Sequence, residues 1–576
     1  MTDLFGFGIE GLDLQRFLAA SRLVFVAAAL AAVALAARGA NARRAGRLVL
    51  AVALLGHAIA WFATMHPLAN PYGANGSMDR ENHLGWANVV SNGFPILRTF
   101  QVHHLHFEPL WPLLSSIAAG FNPDHIPAVF QWQPLVMGFL LLFAVRYAWL
   151  RGGTASPSIE AEAAFAALGA LLLLAAPGDH AGAFRNPWAL TLLLKPNHTL
   201  GLVLVPLAAL ALSRASTWKS RLWAGFVLQL VGWAFVIHMV LFVAGLFVFV
   251  ALSWVEKRAD RMKDLVDAGS AVGANLLIVS PYLIMLLVAY PFRQTREVPG
   301  LLFSERPIEP SMRIGVFFLL SLFGAWRAYR GGSRLGRLFA SQWLASHLVW
   351  QAFPLLSLVR LAREQDEAFY WCRFWTGLFA GLGLFQGLTL ALAALKARAR
   401  KAGAGVGAAT ALGLIILLPS LVPAWWDPQA MDKYFIAARK PLPDWIAEPM
   451  KFVRENTTKD AVFAGDRNYA RWVAAYGQRR VLLADSLNRP GDSKRRMAVE
   501  RALLVDGEAA LLEEARTRYA LRYVVYTSTP VNPEVPIDLD VLKTRPHLET
   551  VYDHAFEDLR VVILRIRDRE ETGGRR

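Results

Sequence analysis

From Arg16 to Trp425 the chain alternates long apolar runs with short polar connectors. Each run is about 16–25 residues long, enough for a helix to cross a hydrocarbon core of roughly 30 Å. The pattern predicts about twelve spans, near 18–37, 47–65, 127–148, 160–176, 198–213, 221–237, 239–254, 266–290, 313–328, 337–356, 373–394 and 404–424. One further apolar stretch, EPLWPLLSSIAAGF from Glu108 to Phe121, is too short to span. It is predicted to be an interfacial or re-entrant helix.

Charge then orients the spans. Lys and Arg outnumber Asp and Glu by 60 to 44, a formal charge of +16. A nucleic-acid partner would need that excess on one surface. Instead it is divided into short clusters on alternate sides of the runs: Arg38, Arg43, Arg44 and Arg47; Arg146 and Arg151; Arg214, Lys219 and Arg221; Lys257, Arg258, Arg261 and Lys263; Arg327, Arg330, Arg334 and Arg337; Lys396, Arg398, Arg400 and Lys401. The positive-inside rule places all of these in the cytoplasm and both termini outside. No nucleic-acid partner is expected. The outward loops, about 66–126, 177–197, 291–312 and 357–372, are richer in His, Trp, Pro and acids.

Composition agrees with this picture. A chain of 576 residues that is 55% hydrophobic and only 18% charged is not a string of soluble domains joined by polar linkers. With Cys372 as the sole cysteine there is no intramolecular disulfide, cysteine metal knuckle or redox pair. The first apolar run follows Asp3, Glu10 and Asp13, so no cleavable signal peptide is expected.

After Trp425 the pattern changes. Helical periodicity near 444–456, 467–476 and 495–518 alternates with β-branched runs at 461–465, 480–484, 521–526 and 560–566. This predicts a small extracytoplasmic α/β domain over 426–576, following a transmembrane domain over 1–425. The C-terminal segment carries no phosphate loop, metal-ligand spacing or nucleophile elbow, so a structural or substrate-lid role is expected of it.

Candidate chemistry gathers in the outward loops. Asp79, Arg80, Glu81 and His83 open a helical pattern just after the second run. A carboxylate at the membrane boundary can take a proton from a hydroxyl or hold a divalent metal, and it can equally cap a helix. VHHLHFEPLW holds His103, His104, His106 and Glu108. Without an H-E-x-x-H pattern, these imidazoles suit contact with phosphate or sugar better than a zinc site. Lys195 and His198 sit at the mouth of the fifth span, where they either snorkel or meet a phosphate head group. His238, at an outward turn, reads as a satisfied structural histidine. Arg296 and Arg306 belong to the third outward loop. Arg373 begins an apolar helix amid aromatics and needs an anion or an acidic partner such as Glu364 or Glu367. A transporter would place ionisable groups at mid-span, where this chain has almost none.

Two motifs give the chain a family resemblance. Asp79-x-Glu81-x-His83-x-x-x-Ala87 followed by Gly93 resembles the acidic motif in the first outward loop of the GT-C superfamily of integral membrane glycosyltransferases. Phe107–Glu108–Pro109–Leu110–Trp111 resembles the F-E-K-P-P-L-x-Y-W stretch of the aminoarabinose and polyprenyl-phosphate mannosyl transferases. The C-terminal PDWIAEPMKFVRENTTKDAVFAGDRNYARWVAAYGQRRVLL is similar to the terminal domain of uncharacterised bacterial members. The resemblance implies a GT-C-like polytopic α-helical fold and an inverting transfer of sugar from a polyprenyl-phosphate donor to a lipid, glycan or protein acceptor. It implies Asp79 as general base, with Glu81 beside it and Glu108 as a second acid. The donor phosphate and sugar would meet His83, His103, His104, His106, Lys195, His198, Arg296, Arg306 and Arg373. The family's Lys after the Glu has no counterpart, because Pro109 follows Glu108 directly. Oligosaccharide-transferring relatives use a divalent metal, Mg or Mn, and the resemblance leaves a place for one. The alternative from another class is a non-catalytic scaffold or assembly subunit of a membrane complex.

Overall fold

The computed structural model describes residues 41–65, 78–92, 109–175, 196–289, 316–358, 365–398, 405–417, 442–483, 493–506, 508–529, 537–557 and 559–567, with Ala27, Leu30, Ala31 and Ala34. Its contacts divide the chain into two compact units. The first comprises Met1–Leu68, Trp132–Val279 and Pro299–Ala437, and the second Ala69–Gln131, Ser280–Val298 and Ala438–Arg576.

The run at 18–37 lies almost wholly outside the described residues, and the other eleven of the twelve apolar runs have helices at the expected places. They are α1 (Ala42–Met65), α4 (Ile126–Gly152), α5 (Ile159–Ala175), α6 (Pro196–Ser213), α7 (Trp218–Ala234), α8 (Val236–Val255), α9 (Arg261–Ala289), α10 (Val316–Arg330), α11 (Arg334–Leu358), α12 (Gln365–Arg398) and α13 (Gly405–Leu417). Two short helices of the first outward loop, α2 (Met78–Ser91) and α3 (Leu110–Ala118), come between α1 and α4. By length and composition, four of the described helices can cross a membrane: Pro123–Gly152, Pro196–Ser213, Val236–Val255 and Tyr370–Ala394. At 9 residues, α3 rises only about 13 Å, far short of a bilayer core. Local chemistry sets several ends. A Thr217–Ser220 capping box opens α7, and Phe235, with φ −159° and ψ 108°, breaks α7 from α8 at one extended residue.

Within the first unit, glycines bring backbones together. A Cβ at Gly381 of α12 would stand 2.0 Å from the Phe165 carbonyl oxygen of α5. One at Gly383 would stand 2.1 Å from the Leu320 oxygen of α10. Small residues in a row are how apolar helices approach closely when water supplies no drive between them. Gly381→Leu is therefore expected to lower the thermal midpoint of the solubilised protein, because overpacking costs roughly 1–3 kcal/mol. An unchanged midpoint would contradict this packing.

The same unit holds a buried ion cluster. Asp264 and Asp267 of α9 are fully buried, with Arg334 and Arg337 of α11, Arg221 of α7 and Asp260 around them. Three guanidiniums balance three carboxylates. Arg334 also donates to the carbonyl oxygens of Leu212 and Ala215 at 3.4 and 3.0 Å, tying in the end of α6. The basic clusters that mark topology in the sequence thus also pair the helices.

The second unit contains α14 (Asp444–Asn456), β1 (Val462–Gly465), α15 (Arg467–Ala475), β2 (Arg480–Val481), α16 (Ser493–Arg501), α17 (Ala509–Thr517), β3 (Leu521–Thr527), α18 (Leu539–Lys543), β4 (Leu548–Ala555) and β5 (Arg560–Ile566). The strands form one sheet in the order β2-β1-β3-β5-β4. Strand β1 runs parallel to β2 and β3, whereas β5 runs antiparallel to β3 and β4. Val462, Val524, Val562 and Leu564 pack with Leu503, Leu511 and Ala515 to close its core. Two details depart from the sequence expectation. The predicted helix over 495–518 is interrupted by a π-helical turn at Ala502–Asp506, and β4 was not foreseen.

Candidate active site

The acidic motif lies on α2, in the second unit. Asp79 and Glu81 stand in its first turn, where the helix dipole favours carboxylates. What fixes this helix is its other end. Asn88 donates from Nδ2 to the carbonyl oxygens of Ala474 and Ala475 at 3.3 and 2.8 Å, and Asn92 donates to the Gln478 oxygen at 2.9 Å. Gly85 permits the approach, since a Cβ there would stand 3.0 Å from the Ala474 Cβ. On another face Ser116 of α3 donates to the Ala87 oxygen at 3.1 Å. The acidic turn is thus carried by a helix clamped to α15, the helix that follows β1. His83 is buried and meets Trp86 edge-on, with ring centroids 4.9 Å apart. It belongs to the packed wall of α2, beneath the turn that bears Asp79.

A second group of predicted residues meets in the first unit. The first turn of α6 buries Asn197, His198 and Thr199, and a helix start presents backbone N–H groups suited to an anion. His198 lies 3.7 Å, centroid to centroid, from Phe235, the residue that breaks α7 from α8. It meets Tyr370 edge-on at 5.9 Å and His238 at 5.7 Å. Tyr370 precedes Arg373 by one turn of α12, so the two share a side of that helix, and Arg373 is buried. Trp371 packs on His238 at 5.3 Å. The structure therefore brings His198, Phe235 and His238 together with Tyr370 and Trp371 of α12, the helix that also carries the buried Arg373.

His238 is where the sequence reading falls short. It is fully buried, and among the described residues neither ring nitrogen has a hydrogen-bond partner. A buried imidazole in that state calls for a polar partner, a water or a ligand. No short motif signals it. The nearest sequence cue is Gly201, whose missing side chain admits the ring: a Cβ there would stand 2.6 Å from His238 Nδ1.

Glu108, His103, His104, His106, Lys195, Arg296 and Arg306 lie outside the described residues. Among the described residues no three His, Cys, Asp or Glu side chains are placed to hold a metal ion.

No family model matches the chain, and no curated protein matches it in sequence. Solved structures do. ArnT from Cupriavidus metallidurans in the apo state aligns with a TM-score of 0.51 at 13% identity, covering 89% of this chain and 97% of ArnT. ArnT bound to undecaprenyl phosphate aligns with a TM-score of 0.50 at 13% identity, covering 90% and 97%. The apo oligosaccharyltransferase of Archaeoglobus fulgidus aligns with a TM-score of 0.47 at 14% identity, covering 83% of this chain and 69% of its own. At such identities the likeness is one of fold. This chain shares the overall fold of ArnT.

Proposed function

We propose that this protein is an inverting glycosyltransferase that moves a sugar from a polyprenyl-phosphate donor to an acceptor at the outer face of the inner membrane. About twelve spans hold it there, with the basic loops cytoplasmic and the C-terminal domain outside. The observation that carries the reading is a fold shared with ArnT along almost the whole of both chains. ArnT has been captured with undecaprenyl phosphate.

The chemistry follows from leaving-group and base. An acceptor hydroxyl oxygen attacks the anomeric carbon while its proton passes to Asp79. The bond from that carbon to the phosphate oxygen breaks, and the electron pair stays on the phosphate. Because the phosphate leaves as an anion, stabilising it matters more than protonating it. Arg373, His198, His238 and the start of α6 form the set suited to that charge, with Lys195, Arg296 and Arg306 as further cations. Glu81 and His83 support Asp79, Glu108 is the second acid at the donor head, and His103, His104 and His106 are contacts for the sugar. The described residues offer no set fitted to Mg or Mn, and the proposal assigns no step to a metal.

The test is native mass spectrometry of the purified protein with undecaprenyl phosphate. Wild type is expected to retain the lipid, and His238→Ala and Arg373→Ala are each expected to weaken retention at least tenfold, about 1.4 kcal/mol. Retention unchanged in both, with both still folded, would remove this cluster from the donor site.

A further inference from the structure

The second unit contains a cleft of about 770 Å³ that the transfer reaction above does not use. That volume falls within the range of about 300–1,000 Å³ common for ligand sites. Its place in the fold is informative. Asp466 follows β1 and Thr527 ends β3, two parallel strands whose carboxyl ends open on the cleft. Such ends are where ligands settle in α/β sheets. Gly465 makes the edge possible: with φ +127° it passes so close to the Val525 carbonyl that no Cβ fits.

One wall is aromatic. Trp445 of α14 and Tyr469 and Trp472 of α15 pack together, with centroids 5.2 Å apart for the two indoles and 4.9 Å for Tyr469 and Trp472. The Tyr469 hydroxyl donates to the Trp445 carbonyl oxygen, which fixes the two helices against each other. At the end of β4, His554 and Phe556 pair at 4.6 Å.

Beside Thr527, Thr529 and Leu559, the rest of the lining is acidic. Asp444, Glu448, Asp466 and Glu557 face the cleft, and none of the described lining residues is Lys or Arg, in a chain with 60 Lys and Arg. Asp466 is occupied in part as the cap of α15, accepting from the Tyr469 backbone N–H at 3.1 Å. Asp444 and Glu448 are exposed one turn apart on α14, an arrangement that repels and does nothing for the helix. The negative field reaches the neighbouring phenols. Burial, with Asp466 and Glu500 adding to it, pushes the Tyr526 hydroxyl up to about 12. Burial and Glu448 push that of Tyr552 up to about 12.

These features select a ligand class. Among the described lining residues a phosphate or uronate would meet four carboxylates and no guanidinium, an arrangement that disfavours an anion. No three of the described acids and histidines are placed to hold a metal ion. An uncharged sugar ring fits both walls, because its C–H face stacks on an indole and its hydroxyls donate to carboxylates. We propose that this cleft is a carbohydrate-binding site, in which an uncharged sugar of a glycan lies on Trp472 and Trp445 and donates to Asp444, Glu448 and Glu557.

The test is isothermal titration of the full-length protein in nanodiscs with neutral oligosaccharides of mannose, glucose, galactose and arabinose, and separately with spermidine. At least one oligosaccharide is expected to bind. Trp472→Ala should weaken it at least tenfold, and Glu448→Gln severalfold with an unchanged thermal midpoint, since Glu448 is exposed and takes no part in the core. No binding of any of these sugars up to about 10 mM, tenfold above the millimolar range, overturns the proposal. So does binding indifferent to both substitutions, or binding of spermidine with no sugar bound. The measurement reads binding and not transfer, so it stands apart from the fate of the transferase reading.

Discussion

Asp264→Ala is expected to destabilise the membrane unit by about 3–5 kcal/mol, the cost of breaking a buried ion pair. The Asp264 carboxylate accepts from Arg334 Nε at 2.9 Å and from the Ser253 hydroxyl at 2.8 Å, and it lies 3.6 Å from Arg337 Nη1. Asp267 pairs with Arg221 at 2.7 Å and with Arg334 at 2.8 Å. Arg337 completes the set with Asp260 at 2.6 Å. Removing one carboxylate leaves three guanidiniums facing two acids, and Arg337 has no route to water, being almost wholly buried. The loss is therefore mainly the stranded charge and not the missing bond. The exposed pair of Arg258 and Glu256, at 2.7 Å, is the control. Glu256→Ala should cost less than about 1 kcal/mol, as surface pairs do. Thermal unfolding of the solubilised proteins separates the two, and equal midpoints would contradict the buried cluster.

Asp79→Asn is expected to lower turnover by roughly 10²–10⁴-fold, the usual worth of a positioned general base. The amide keeps the shape of the carboxylate but cannot accept the acceptor's proton at neutral pH. Folding should survive, because α2 is held from its far end by Asn88 and Asn92. Retention of donor lipid should survive too, since the cluster of His198, His238 and Arg373 is untouched. The rate of polyprenyl phosphate release in membranes carrying the native donor measures the effect. A fall in rate with lipid retention intact is the signature of a base. Full activity in Asp79→Asn would point to the non-catalytic scaffold.

The helices of the first unit were legible because long apolar runs stand out against short polar connectors. The run at 160–176 and α5 (Ile159–Ala175) agree within a residue. The sheet was harder. Strand β4, LETVYDHA, buries only Leu548 fully and lies at the edge of the sheet, so it carries little apolar signal. Only its pairing with β5 reveals it. The break at Ala502–Asp506 was masked by an apolar run that continues the helical pattern, with Gly507 just beyond. The candidate residues were readable as types and not as an arrangement. Nothing local brings His198 to Tyr370, or Asn88 to Ala474, which is 386 positions away. Asp264 and Arg334 are 70 residues apart, and in sequence Arg334 reads as a topology signal alone.

The most direct measurement is the profile of polyprenyl-linked sugars in native cells producing either wild-type protein or Asp79→Asn, by mass spectrometry of extracted lipids. A transferase predicts that one polyprenyl-phosphate sugar accumulates in the variant while its glycosylated product disappears. Identical profiles, with both proteins present at equal levels, would contradict transfer from such a donor.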